Sequence, residues 1–326
     1  DMNDEATNDH ASLMRTAWMA VILLVPVALL NYLDRQMLAA MKTSMMGDIP
    51  DIATKENWGF MLGAFKWVYA ALSPIGGYIA DRFNRRKTIV ASLFVWSAVT
   101  WLTAFVGNYN QLVAARALMG ISEAFYIPAA LALITDFHVG ETRSRAVGLH
   151  QMGMYAGIIL GGFAGHVAEN PNLGWRFAFQ ACGLVGVIYS IPLFLSLKNP
   201  TRQVGAESKG MQSPLKTMGE LFSNPGFILL VLYFTLPALA GWVVKDWMPD
   251  ILKERFNLKQ GNAGVYAVLP VQFASLVGVG IGGWLADSWM KKTIRGRIFV
   301  SALGMTMFLP ALFGVGLSES LTLAVA

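Results

Sequence analysis

The sequence has little charge, almost no cysteine and few histidines. Only 14% of its 326 residues are charged and 55% are apolar, whereas a soluble domain carries about 25% charged residues. Cys182 is the only cysteine and lies in an apolar run, which excludes an intrachain disulfide and argues against a thiolate metal site. Three of the four histidines, His10, His138 and His166, lie near helix ends or in loops and show no ligand spacing. We therefore expect no metal and no cofactor, and without a nucleophile and base pair the chain is not predicted to be an enzyme.

What the sequence has instead is a series of long apolar segments. A helix of about 20 apolar residues crosses about 30 Å of hydrocarbon, and nine segments approach that length: 17–40, 58–80, 88–107, 111–135, 146–168, 175–197, 225–250, 262–286 and 298–315. A tenth begins near Leu321. The sequence therefore predicts an all-α polytopic membrane protein with nine helices and the start of a tenth.

The net charge of +5 comes from basic residues in short loops, not from one continuous basic stripe. This distribution argues against binding to nucleic acid. With the amino terminus inside, most lysines and arginines fall in inside loops, as the positive-inside rule requires. The polar tail before Thr16 is followed by an apolar run without a small-residue cleavage site. We expect a multi-pass protein of the plasma (inner) membrane with a cytoplasmic amino terminus.

A repeated motif and a polar linker divide the chain. The run Gly76 to Arg82 after the second segment recurs as Gly282 to Ser288 after the eighth, six helices later. Between them lies a stretch rich in Pro, Gly, Ser, Lys and Gln. The predicted divisions are a cytoplasmic tail at 1–16, a six-helix half at 17–197, a cytoplasmic linker at 198–224 and a partial second half at 225–326.

The stretch from Gly77 to Arg86 resembles the loop signature of the major facilitator superfamily: glycine, two residues, Ala, Asp-Arg, two residues and a basic pair. Asn84 stands where that signature usually has glycine, and the second copy at Asp287 lacks the arginine. The resemblance covers the first to the ninth segment. It implies a major facilitator fold of two six-helix halves, here with the second half truncated, working as a monomeric transporter by alternating access.

Charges near this loop could act as a conformational latch. An aspartate can attract a neighbouring helix terminus, and arginines can fasten the inner side shut, although positive-inside orientation alone is the alternative for the arginines. The predicted latch residues are Gly77, Asp81, Arg82, Arg85, Arg86 and Asp287.

Charged residues inside apolar segments are costly and usually face a cavity or a partner. Such residues occur in the first, second, fourth and seventh segments: Asp34, Arg35, Lys66, Arg116, Glu123, Lys245 and Asp246. Helical spacing puts Arg116 and Glu123 on one face, and Lys66 and Tyr69 on another. We expect a shared cavity that holds an anion. The alternatives are that Arg116 only neutralises a buried carboxylate and that Lys66 snorkels to the interface.

The pair Asp34-Arg35, together with Arg116 and Glu123, resembles the anion:cation symporter branch of the superfamily, which moves sugar acids and other organic anions with protons. The resemblance implies that Asp34 and Glu123 are proton-coupling sites and that Arg35 holds the substrate carboxylate. Arg116 and Tyr69 match further positions of that branch, and Lys66 is a departure that favours a different or more highly charged anion. The run from Asn31 to Arg35 also resembles spinster-type lipid transporters.

Other polar positions are weaker candidates. Gln151 and Tyr155 on the fifth segment could contact substrate, or could make hydrogen bonds within the core. Adjacent residues cannot share a helix face, so only one of Lys245 and Asp246 is expected to reach the cavity, unless both form a surface pair.

Small residues at fourfold spacing allow two helices to approach closely. Two segments carry such glycines: Gly153, Gly157, Gly161, Gly165, Gly278 and Gly282. We expect them at a sliding interface between the halves, with static packing inside one half as the alternative.

From these patterns we predict proton-coupled symport of a small organic anion, with the substrate, protons and the lipid bilayer as partners. A spinster-like exporter of amphipathic lipids is the second hypothesis. A polytopic receptor or an intramembrane enzyme represents a different class.

Overall fold

The computed structural model describes residues 2–82, 84–138, 142–199 and 214–325, which form helices and short connections without a β-strand in these ranges. The α-helices are α1 (Met2–Ala40), α2 (Lys42–Met46), α3 (Lys55–Arg82), α4 (Arg85–Thr103), α5 (Tyr109–Glu123), α6 (Tyr126–Phe137), α7 (Arg143–Gly162), α8 (Ala164–Glu169), α9 (Gly174–Ser196), α10 (Pro214–Phe222), α11 (Pro225–Phe256), α12 (Gln260–Met290), α13 (Gly296–Leu317) and α14 (Leu321–Val325). A short 3-10 helix, Pro50–Ala53, follows α2.

Each predicted apolar segment corresponds to one long helix or to two helices in series, although the third segment, 88–107, extends four residues past the end of α4 and the sixth, 175–197, one residue past the end of α9. The fourth segment is α5 with α6, the fifth is α7 with α8, and α14 begins at Leu321 as expected. In the described chain, four stretches are both long and apolar enough to cross a membrane by composition alone: Ser12–Ala40, Tyr109–Phe137, Gly174–Ser196 and Pro225–Phe256. The all-α membrane architecture predicted from the sequence is confirmed.

The fourth segment is interrupted between α5 and α6, a break that the sequence analysis did not predict. Pro128 lacks an N–H group and its ring crowds the carbonyl of residue i−4, which is Ala124 in the break. Gly76 of α3 packs directly on this Ala124 carbonyl, where a Cβ atom would not fit. The break therefore comes immediately after Glu123 and fixes that carboxylate at the end of α5.

Three glycines of α7, Gly153, Gly157 and Gly161, pack inside one group of helices and not between the two halves. A Cβ atom at Gly157 would collide with the carbonyl of Leu29 and the nitrogen of Leu33 on α1, and Gly153 and Gly161 meet α1 in the same way. The expectation that this ladder forms the sliding interface is wrong for these three positions, because α7 is the main packing partner of α1. Around Gly278 and Gly282, a Cβ atom would meet no described atom within 4 Å.

We call α1 to α9 the first bundle and α11 to α14 the second bundle. Their contacts are concentrated where α1 ends and α12 begins: Gly162 lies against the backbone of Gly264, and Gly165 against that of Gln260. The side chain of Gln260 also accepts a hydrogen bond from the Ser44 backbone at 2.9 Å. This end of the molecule is the one predicted to face outside. Of the predicted linker 198–224, residues 200–213 lie outside the described residues, and α10 occupies most of the remainder.

Replacing Gly157 by alanine is expected to destabilise the first bundle by about 2 kcal/mol, because the added methyl group must displace the α1 backbone. Gly148→Ala on the same helix is the control, since a Cβ there meets no described atom within 4 Å and alanine favours helix. Thermal unfolding of the purified protein in detergent measures both. A Tm for Gly157→Ala equal to that of the Gly148→Ala variant would contradict this packing.

Candidate functional site

A cavity of about 120 Å³ lies among α1, α3, α5, α7 and α11. Four cationic side chains and one carboxylate line it, together with aromatic and aliphatic groups. The charged lining residues are Arg35, Lys66, Arg116, Lys245 and Asp246. The cations in this lining outnumber the carboxylate, so the cavity attracts negatively charged molecules.

Arg35 is held in place by one carboxylate and three aromatic rings. Its Nε donates a hydrogen bond to Glu123 Oε2 at 2.7 Å, and its Nη2 lies 2.6 Å from the same oxygen. The guanidinium lies 4.9 to 5.0 Å from the ring centres of Tyr32, Phe65 and Tyr69. These cation–π contacts fix the plane of the guanidinium. Arg35 therefore presents a pre-oriented cation to the cavity while Glu123 is buried.

A second pair, Asp34 with Arg116, lies beside the first. Thr100 on α4 donates a hydrogen bond to Asp34 Oδ2 at 2.5 Å. Arg116 Nη1 lies 4.0 Å from Asp34 Oδ1, which is an ion-pair distance but too long for a hydrogen bond. The Arg116 guanidinium also lies 4.9 Å from the centre of the Phe65 ring. Phe65 therefore makes cation–π contacts with both arginines.

The two buried carboxylates lie behind the arginines. Asp34 is 1% exposed and Glu123 is fully buried, and neither lines the cavity. Arg35 and Arg116 are the residues of each pair that reach it. A proton bound by either carboxylate would cancel its charge and leave the paired arginine free to attract an anion in the cavity.

Lys66 joins the first bundle to the second. Its ammonium group pairs with the carboxylate of Asp246 on α11 and lies 5.3 Å from the centre of the Trp242 ring. The side chain thus turns inward and does not snorkel to the interface. One helical turn further along α11, Asp250 pairs with Lys42 at 2.5 Å. Two lysine–aspartate bridges therefore connect α11 to the first bundle, and only the Lys66 bridge lies at the cavity.

Both Lys245 and Asp246 line the cavity, which corrects the expectation that only one of them would reach it. Adjacent residues are about 100° apart around a helix, so both can line a cavity that faces a broad part of the α11 surface. Lys245 is exposed and also lines a second cavity of about 280 Å³. Aliphatic and aromatic side chains such as Val244, Met248 and Val271 form most of that second wall.

The remaining predicted substrate residues do not line the charged cavity. Tyr69 lies behind Arg35 and stacks on Phe65. On α7 the lining residue is Ile158, whereas Tyr155 is three residues away and Gln151 is exposed two turns away.

Sequence reasoning missed several residues that shape the site. These are Tyr32, Gln36, Leu62, Phe65, Thr100, Ile158 and Trp242. Aromatic and aliphatic residues in an apolar helix are ordinary core residues, so they give no separate signal. The fourfold spacing of Phe65 and Tyr69 beside Lys66 is the one pattern that could have indicated an aromatic cradle.

The predicted latch is described only in part, because the side chains of Asp81, Arg82 and Asp287 lie outside the described residues. Arg85 donates to the Ala132 carbonyl at 2.8 Å and pairs with Asp136 on α6. Arg86 donates to the carbonyl of Phe194 on α9. In the described chain these arginine contacts fasten helices of the first bundle to one another.

Two smaller details of that loop bear on the prediction. Asn84 has a φ of −67° and caps α4 by accepting from the Lys87 N–H at 3.1 Å, so no glycine is required there. A Cβ atom at Gly77 would meet nothing within 4 Å among the described residues, and Gly76 makes the close helix contact instead.

Membrane-length helices that enclose paired charges and a cationic cavity define this chain as a polytopic helical transport protein. The Major Facilitator Superfamily profile matches residues 24–326, and the chain belongs to that superfamily. It is 27% identical over 314 residues to Protein spinster of Drosophila melanogaster, covering 93% of this chain and 51% of that protein. It is also 25% identical over 301 residues to the D-galactonate transporter of Escherichia coli O6:H1, covering 85% and 69%.

Solved structures share the fold. One is a bacterial homologue of the human lysosomal transporter spinster in an inward-facing and unoccupied conformation. It matches this chain with a TM-score of 0.77 at 20% sequence identity, and the match covers 95% of this chain and 71% of that one. A D-xylose–proton symporter matches with a TM-score of 0.57 at 15% identity, over 83% and 69%. The chain spans about half the length of the Drosophila spinster protein and about two thirds of these structures.

Proposed function

We propose that this chain is the greater part of a secondary active transporter that moves a small organic anion, a sugar acid or a related carboxylate, together with protons. The observation that carries the proposal is the layering of the site: four cations line the cavity, and two buried carboxylates stand behind two of them. If these charges served only to neutralise one another, the cations would not outnumber the carboxylate in the cavity lining.

Arginine suits the recognition of a carboxylate because its planar guanidinium forms two parallel hydrogen bonds with it. Arg35 is the residue best placed for this role, since three aromatic rings and Glu123 fix its orientation. Lys66 and Arg116 add further positive charge to the cavity lining. The similarity to a D-galactonate transporter supports a sugar acid as the first substrate to test.

Proton coupling in this proposal is a competition for the arginines. While Glu123 and Asp34 are ionised, they neutralise Arg35 and Arg116. When either carboxylate takes up a proton, its arginine becomes available to the substrate carboxylate, so substrate and proton are bound together. The Oδ1 atom of Asp34, which Arg116 approaches only to 4.0 Å, has no hydrogen-bond partner among the described residues and is therefore the proposed position for the proton.

Alternating access in this proposal uses the contact between the bundles. The inter-bundle contacts at the end of α1 and the start of α12 hold the side predicted to face outside closed, so we assign the opening of the cavity to the cytoplasmic side. The inward-facing state of the bacterial spinster homologue supports this assignment. We propose a monomer in the plasma membrane with its amino terminus in the cytoplasm and with the loop arginines as a latch.

A second candidate function is the export of amphipathic lipids. The apolar cavity next to the charged one favours it, because the two share Gln36, Ile158 and Lys245 and together could hold a charged headgroup and an apolar tail. The similarity to spinster proteins supports this alternative.

The experiment that separates the two candidates is counterflow in proteoliposomes at two pH values, with uronates, aldonates including D-galactonate, other carboxylates and lysolipids. We expect exchange of at least one hydrophilic carboxylate, increased at the lower pH because protonation frees the arginines. Uptake of lysolipid alone would favour the second candidate and contradict the first.

Glu123→Gln is expected to reduce uphill accumulation driven by an imposed pH gradient, because Asp34 is then the one remaining buried carboxylate of the two proposed proton sites, while counterflow of the same carboxylate continues. The amide cannot take up or release a proton, but it still occupies the position beside Arg35. Glu56→Gln, at an exposed glutamate in the first turn of α3, is the matched control and should accumulate substrate normally. Uphill transport by Glu123→Gln at the wild-type level would exclude Glu123 as the proton site.

Asp246→Asn is expected to tighten carboxylate binding about fivefold, because Lys66 is released from its partner; one ion pair of about 1 kcal/mol corresponds to that factor. Glu254→Gln, at an exposed glutamate about two turns further along α11, should leave the Kd unchanged. Both values can be measured by equilibrium binding of the transported carboxylate. Equal effects of the two substitutions would show that Lys66 does not exchange between Asp246 and the substrate.

A further inference from the structure

A groove of about 440 Å³ opens on the surface of the first bundle between α4 and α9. It is separate from the charged cavity and has no lining residue in common with it. Its walls are almost entirely apolar, and Phe94, Ile191 and Phe194 are about half exposed or more. In a membrane-spanning bundle such a surface contacts lipid chains and not water.

One end of this groove is basic. Lys87 lines it from the first turn of α4 and is exposed. Beside it, the Arg86 guanidinium lies 4.7 Å from the centre of the Phe194 ring, and its Nε has no hydrogen-bond partner among the described residues. The amino-terminal end of α4 adds a partial positive charge at the same place.

The position of the basic end relative to the bilayer determines which lipid fits. Lys87 follows the loop between α3 and α4, which is predicted to face the cytoplasm, so the groove runs from the cytoplasmic surface into the inner leaflet. A headgroup with net negative charge gains about 1 kcal/mol for each lysine at the membrane surface, whereas a zwitterionic headgroup carries no net charge to attract.

We infer that this groove binds an anionic phospholipid of the cytoplasmic leaflet, with its phosphate at Lys87 and one acyl chain along the apolar wall formed by α4 and α9. The site is independent of the proposed transport function, since neither Lys87 nor the groove wall contributes to the charged cavity. The occupied groove joins α4 to α9 near their cytoplasmic ends, so the bound lipid stabilises the first bundle.

The inference can be tested with the purified chain in detergent by thermal unfolding and by native mass spectrometry. Phosphatidylglycerol and phosphatidylcholine with identical acyl chains are the probes. Inorganic phosphate is tested separately, to distinguish binding of a lipid from binding of a free phosphate group. We expect phosphatidylglycerol to raise the Tm by about 3 °C more than phosphatidylcholine and to be retained about fivefold more strongly. Equal effects of the two lipids, or an equal effect of inorganic phosphate, would overturn the inference.

Two variants locate the binding. Lys87→Gln should remove the preference for phosphatidylglycerol, whereas Lys55→Gln, an exposed lysine at the opposite end of α3, should retain it. Ala91→Phe fills the groove between α4 and α9 and should reduce retention of both lipids. An unchanged preference in Lys87→Gln places the headgroup elsewhere, and undiminished retention in Ala91→Phe places the acyl chain elsewhere. Either result overturns the proposed site.

Discussion

The ion pair between Arg35 and Glu123 is the interaction on which the site depends. Isolated charges are expensive inside a membrane, and a buried pair becomes strongly unfavourable when one partner is lost. The two residues belong to different helices, α1 and α5, so the pair fixes those helices relative to each other. Asp34 and Arg116 repeat the arrangement with the order of acid and base exchanged between the helices. The result is a group of four charged side chains, in which cation–π contacts with neighbouring aromatic rings orient the two arginines.

The backbone contributes to this arrangement as much as the side chains. The break that Pro128 imposes after Glu123 ends α5 at the carboxylate. The small residues of α7 let α1 approach closely, which places Arg35 at the cavity wall. The bridge from Lys66 to Asp246 then connects the same wall to the second bundle. Charge, helix packing and contact between the bundles therefore meet at one place, as coupling between binding and conformational change requires.

The sequence predicted the helices well, since each apolar run needs to satisfy its backbone hydrogen bonds inside the bilayer. It also predicted that Arg35, Lys66 and Arg116 share a cavity, because a charged side chain in an apolar segment is costly unless it faces a cavity or a partner of opposite charge. The glycine ladder was misplaced at Gly153, Gly157 and Gly161, because spacing shows that a helix can approach another one but not which one. Gly165 does contact α12, as the prediction of an interface between the halves requires. Thr100 and Phe65 were missed because nothing in an apolar helix distinguishes them from core residues. Whether Lys245 and Asp246 both line the cavity depends on the shape of the cavity. Residue spacing along a single helix gives no information about that shape.

The most direct test of the account is the number of protons taken up when the transported carboxylate binds to the purified protein. A pH-sensitive dye in weakly buffered detergent solution measures it near neutral pH. If an anion and the buried carboxylates compete for Arg35 and Arg116, binding takes up close to one proton in the wild-type protein, and this uptake is lost in the variant with Asp34 and Glu123 both changed to their amides. Saturable binding of the carboxylate without proton uptake by the wild-type protein would contradict the account.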